Sequence, residues 1–362
     1  MEYKPTSSAQ PEIALSKPVH STVHAKKLVI VSAGALGSPQ ILERSGVGNP
    51  DVLKKLDIPV VVDLPGVGEN YQDHHLLLYP YKTSLDEGET LDGILSGRKD
   101  FVKALEGKDP MLGWNGIDIC AKLRPSATEI SSLGPAFQKS WDTTFAPHPT
   151  KPLILCGVVN AFLADPGLVP EGQYITMGTY SAYPFSRGSI HVSDREDVEG
   201  GYVFDTGFLG DADEKAGKFD LKTQVWGYKM SREIARRLPY YKGELELGHP
   251  KFASGSKAAL EIGLGDGEVK DLVYSEEDDA AIEDWIRGNL NTTWHSLGTA
   301  KMAKREEGGV VDKDLNVYGT TGLKVVDLSV VPENVGANTN NTALVVGEKA
   351  AVIIGRELGV EV

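Results

Sequence analysis

A chain of 362 residues with 41% hydrophobic and 24% charged side chains, 40 glycines and 20 prolines suits two domains or one large α/β body. That composition excludes collagen-like, coiled-coil and wholly disordered classes. With 51 acidic against 37 basic residues the formal charge is -14, which opposes attraction to nucleic acid or an anionic membrane, so neither is an expected partner.

In chain order, positions 1–17 are polar, hold Pro5, Pro11 and Ser7-Ser8, and have no apolar core of signal-peptide length, so 1–26 reads as a flexible leader. The run Lys27-Leu28-Val29-Ile30-Val31-Ser32-Ala33-Gly34 predicts a strand buried on both faces of a parallel sheet. A helix follows, with Ser38 as its cap, Pro39 in its first turn, Ile41 and Leu42 inward and Ser45-Gly46 as its stop. Val60-Val61-Val62 predicts a further strand, and Pro65-Gly66-Val67-Gly68 a turn leading to Asn70, Gln72, Asp73, His74 and His75. The adjacent histidines point to opposite faces of an extended segment and lack a supporting ligand pattern, so no metal site is expected.

From about 80 to 270, strand-like runs at 153–159, 174–177 and 189–192 and a helix near 221–238 predict an antiparallel sheet carrying helices. Gly263-Leu264-Gly265-Asp266-Gly267 lacks the G-x-G-x-x-G spacing and reads as a surface loop. Ser275 and Asp278 form a capping box for a helix with Ile282, Trp285 and Ile286 inward. Cys120 and Cys156 are too few for a disulfide scaffold and read as two buried thiols in a reducing compartment. No stretch of about 18 uncharged apolar residues occurs, so no membrane helix is expected. The final residues are not a Ser-Lys-Leu tail, which leaves the cytoplasm as the default location.

Chemistry concentrates in the last third. His295 lies in Thr292-Thr293-Trp294-His295-Ser296 beyond the acid-capped helix, and alone it reads equally as a core residue or a catalyst. A buried strand, Leu323-Lys324-Val325-Val326-Asp327, runs into the Asn/Thr-rich turn through Asn338, Thr339 and Asn340. The helix after it carries Ala343, Gly347, Ala350 and Ala351, small enough for close packing, and its start would offer unpaired N–H groups to an electron-rich oxygen.

At these residues the sequence resembles the glucose-methanol-choline flavoprotein oxidoreductases, and within them the fungal and yeast alcohol oxidase branch. Gly34-Ala35-Leu36-Gly37-Ser38-Pro39-Gln40-Ile41-Leu42 through Ser45-Gly46-Val47-Gly48 is similar to a family signature. Pro65 to His74, Tyr183-Pro184-Phe185-Ser186-Arg187-Gly188, Thr293-Trp294-His295 and Asp327-Leu328-Ser329 through Thr339 resemble the branch in order and spacing.

The resemblance implies oxidation of a small-molecule alcohol with FAD as cofactor. It makes His295 the acceptor of the hydroxyl proton and Asn338 the amide that holds the substrate oxygen. It places Asp327, Thr339 and Asn340 at the flavin and Trp294 in the cavity wall. The family opens on a strand-turn-helix bearing G-x-G-x-x-G, for which this sequence has no counterpart, so about the first third of the fold and the C-terminal extension of methanol oxidases are expected to be absent. The fold class that follows is mixed α/β and α+β. An incomplete FAD-binding parallel-sheet domain (27–79 with 291–362) stands beside a substrate domain with a mainly antiparallel sheet and helices (80–290). The isolated chain is then expected to bind FAD weakly or not at all, and to self-associate or pair with a second chain carrying the flavin segment. A redox-neutral lyase or cyclase and a noncatalytic remnant remain open as alternatives.

Overall fold

The computed structural model describes residues 2–3, 21–210, 218–261 and 269–360. Most of the expected leader and the glycine-rich loop at 263–267 lie outside the described residues.

Five antiparallel strands run in the spatial order Tyr241–Glu244, His75–Thr83, Tyr174–Ser181, Ile154–Val159 and Ile117–Leu123, and Asn291–Thr292 adds to the His75–Thr83 strand. Strand alternation sends Leu77, Tyr79 and Tyr81 to one face, at 0–1% exposure, where they join Val225 and Tyr228 of the helix Phe219–Arg236 in the main core. Leu76, Leu78 and Pro80 take the other face, and continuing the alternation upstream puts His74 on their side. The helix Glu276–Asn289 packs on Phe219–Arg236 and starts with the expected capping box of Ser275 and Asp278.

The second body is built on parallel pairs: Val29–Val31 with Leu323–Val325, and Val47–Gly48 with Val62–Asp63. Val31, Leu42, Val325, Val330 and Ala350 share its core, which brings together the helices Gly34–Arg44 and Asn340–Leu358. The fold is therefore the mixed α/β and α+β architecture that the sequence implied.

Several local expectations are corrected. The strand at Val29–Val31 is not buried on both faces: Val31 is 4% exposed but Ile30 is 45% exposed, because only one strand flanks it among the described residues. The helix that follows begins at Gly34, so Ser38 and Pro39 lie inside it; Ser38 accepts from the Ala33 N–H instead of capping. Among the described residues Ser189–Val192 pairs as a strand with Tyr202–Asp205, outside the main sheet, and its His191 binds Glu43 of the first helix. Cys156 is buried in the main core, where its strand partner Ala121 also packs, so Cys120, one residue before Ala121, points to the opposite face and is exposed. The domain boundary expected at 79 falls within the His75–Thr83 strand.

Candidate active site

His295 is carried by the turn that leaves Asn291–Thr292. That turn requires Trp294 to adopt a left-handed φ of 58°, and the Trp294 N–H is held by Thr292 Oγ1 at 2.8 Å. Asp73 anchors it: Oδ1 accepts the His295 backbone N–H at 3.1 Å, while Oδ2 accepts from the Thr292 hydroxyl and from Tyr71 at 3.2 Å. A carboxylate 1% exposed is thus satisfied by the loop that it fixes.

The position of one proton decides the chemistry of the histidine. His74 Nδ1 lies 2.9 Å from His295 Nδ1, and His74 Nε2 lies 2.9 Å from the Val335 carbonyl. A carbonyl only accepts, so neutral His74 carries its hydrogen on Nε2 and accepts at Nδ1. The shared proton then belongs to His295 Nδ1, and His295 Nε2 bears the lone pair. Both rings are kept neutral. Burial first, then the charge of His295, pushes His74 down to about 3 against the carbonyls of Val335 and Ala182. Burial also lowers His295, with Asp73 opposing.

Tyr180 joins this pair to Asn338. Its ring lies 5.5 Å from that of His74 and 6.0 Å from that of His295, and its hydroxyl donates to Asn338 Oδ1 at 2.5 Å. Burial pushes the Tyr180 hydroxyl up to about 12, so it stays a donor. With Oδ1 taken, Asn338 presents its NH2 end. Thr339 is buried and Asn340 opens the 19-residue helix, whose first turn has no acidic residue and whose N-cap makes no side-chain bond. Its leading N–H groups therefore keep their positive potential.

Two expected site residues sit differently. Asp327 spends both oxygens within the chain: Oδ2 accepts from the Gly34 N–H at 2.9 Å and from Ser38 at 2.5 Å, and Oδ1 accepts from the Ser329 N–H and hydroxyl at 2.7 and 2.5 Å. It pins the first helix to the strand end. Trp294 is 77% exposed, so its side chain stands outward and not in an enclosed wall.

Sequence reasoning missed His74, Asp73 and Tyr180. Its account of the two histidines holds in geometry, since His75 packs on Phe208 at 4.6 Å while His74 turns to His295. It stopped at excluding a metal: alternation separates His74 from His75 but does not say which of them meets His295.

A family model described as GMC oxidoreductase matches residues 12–76 with its N-terminal part and 184–347 with its C-terminal part. The alcohol oxidase of Candida boidinii is 39% identical over 394 residues, covering 94% of this chain and 58% of that protein. Alcohol oxidase 1 of Komagataella phaffii is 37% identical over 395 residues, covering 95% and 58%. Among solved structures, a formate oxidase of Aspergillus oryzae aligns with a TM-score of 0.74 at 20% identity over 95% of this chain and 56% of that one. A fungal aryl-alcohol oxidase aligns with a TM-score of 0.58 at 24% identity over 96% and 57%. The chain belongs to the GMC oxidoreductase family. It spans somewhat under three-fifths of the length of the curated relatives it matches.

The residues present fit the ring end of the flavin that the family implies: a lone pair at His295 Nε2, an amide donor at Asn338 and an uncapped helix start beside Thr339. The pyrophosphate end has no G-x-G-x-x-G loop in this sequence.

Proposed function

We propose that this chain provides the substrate-oxidising part of a flavin-dependent alcohol oxidase or dehydrogenase. Oxidation of a CH–OH group to a carbonyl removes the hydroxyl proton and one hydride, and forms the second C–O bond from the electrons of the broken O–H bond. FAD, when bound, supplies the hydride acceptor. The work of the chain is on the proton and the oxygen. His295 Nε2 takes the proton, and the imidazolium it becomes keeps its Nδ1–H on His74 and gains from the charge of Asp73.

The Asn338 NH2 group holds the alcohol oxygen while Tyr180 fixes the amide plane. Thr339 and Asn340, at the helix start, would face negative charge building on a bound flavin, and Asp327 holds the turn at Gly34 on which that site leans. The observation that carries this reading is the hydrogen-bond chain from Val335 through His74, which leaves His295 Nε2 as a base.

The test is to load the protein with FAD, alone or together with the N-terminal flavin segment of a relative, and follow bleaching of the flavin absorbance on adding a primary alcohol without oxygen. Bleaching that is lost in His295→Gln supports the reading; bleaching that persists in that variant overturns it.

A further inference from the structure

The face of the central sheet that carries the site continues beyond it. Leu76 pairs across the strands with Tyr180 on one side and with Asn291 on the other, so it touches both the site and the next feature along the strand. That feature is a cavity of about 310 Å³ lined by Leu76, Leu78, Pro80, Leu163, Leu247 and Trp285 among others, and none of its described lining residues is charged. Its size falls at the lower end of small-molecule pockets, roughly 300–1,000 Å³.

Between the site and the sheet edge the face is kept low. Gly178 lies opposite Leu78 and Gly157 opposite Gly178. Neither glycine has the positive φ that would demand it. A Cβ at Gly178 would come to 3.4 Å from the Leu78 side chain, and one at Gly157 to 3.8 Å from Cys120 Sγ, so larger residues would fit the backbone but would fill the strip.

We propose that the alcohol oxidised at His295 carries an apolar tail, and that the tail lies along Leu76, Leu78 and Gly178 with its end in this cavity. The proposal rests on the function proposed above and names its substrate class: medium-length alkyl or aryl alcohols, in preference to one-carbon alcohols, sugars or charged alcohols. The distance from His74 to Leu78 along the strand is about 13 Å, a span that such a tail covers and a one-carbon alcohol does not. Burying it against uncharged side chains supplies affinity in proportion to its apolar area.

The experiment is a binding titration of the full chain, without flavin turnover, using ethanol, butanol, hexanol and octanol, read by calorimetry and tryptophan fluorescence. The dissociation constant is expected to fall about fourfold per added methylene from butanol to octanol. In Leu78→Asn and in Gly178→Val that dependence should flatten while melting temperature shows that each variant is folded; Gly178→Val keeps the test decisive if Leu78→Asn does not fold. An affinity that ignores chain length, or a chain-length dependence unchanged in a folded variant, overturns the proposal. The outcome is separable from the redox reading: persistent flavin bleaching in His295→Gln would remove the base assignment and leave the binding series as it is.

Discussion

His74 and His295 meet Nδ1 to Nδ1 at 2.9 Å, and because His74 gives its only hydrogen to Val335, the proton between the rings is held by His295. Removing His74 frees the His295 ring to take either tautomer and either rotation. His74→Phe is expected to lower the rate of flavin reduction about 10-fold or more, and His295→Ala about 100-fold or more. Asn338→Ala and Tyr180→Phe should act mainly on substrate positioning and raise KM more than they lower kcat. Stopped-flow absorbance with alcohol in excess separates the two effects.

Acid should destabilise this protein through its buried histidines. Burial lowers His74 to about 3 and His249 to about 4, and lowers His295 as well. With an unfolded value of about 6.5, each makes the folded state the poorer proton binder, so stability is full above pH 6.5 and is lost as pH falls toward the folded values. Each contributes a slope of at most about 1.4 kcal/mol per pH unit in that window. His191 has the opposite sign: its bond to Glu43 raises it, so its contribution is present below 6.5 and fades as pH rises through the raised value. Urea unfolding between pH 7.5 and 4.5 should show falling stability, with a shallower slope in His74→Phe.

Arg232 and Glu244 form a fully buried ion pair, joined at 2.5 and 2.9 Å with both side chains 0% exposed. The guanidinium also donates to the Ala258 carbonyl and the Tyr274 hydroxyl. Glu244→Leu alone leaves a buried cation without its partner and should cost about 3–5 kcal/mol. Adding Arg232→Met should restore part of that loss, which urea midpoints of the single and double variants would measure.

The final helix exposes apolar side chains. Leu344 is 60% and Val345 66% exposed, and on the parallel-sheet side Ile30 is 45% and Leu36 39% exposed. The purified chain is expected to bind a hydrophobic dye and to associate with itself, and Leu344→Lys with Val345→Lys should reduce both. Solution mass by light scattering checks this; a monomer that binds no dye would contradict it.

The amino-acid order by itself determined what depends on near neighbours. Ser275 and Asp278 cap their helix, and the motifs around Gly34, His295 and Asn338 mark the family. The burial of Val29–Val31 and the environment of Cys120 were not legible, because burial depends on which strands flank an element and on which of its faces meets the core, and periodicity does not report that. The site itself is a product of tertiary structure. His74 reaches His295 across 221 positions, Tyr180 reaches Asn338 across 158, and Asp327 reaches Gly34 across 293. Those meetings are set by the register of the sheet and by the Trp294 turn, which a local pattern does not encode. For the same reason the tautomer that makes His295 a base follows only once the Val335 carbonyl is in place.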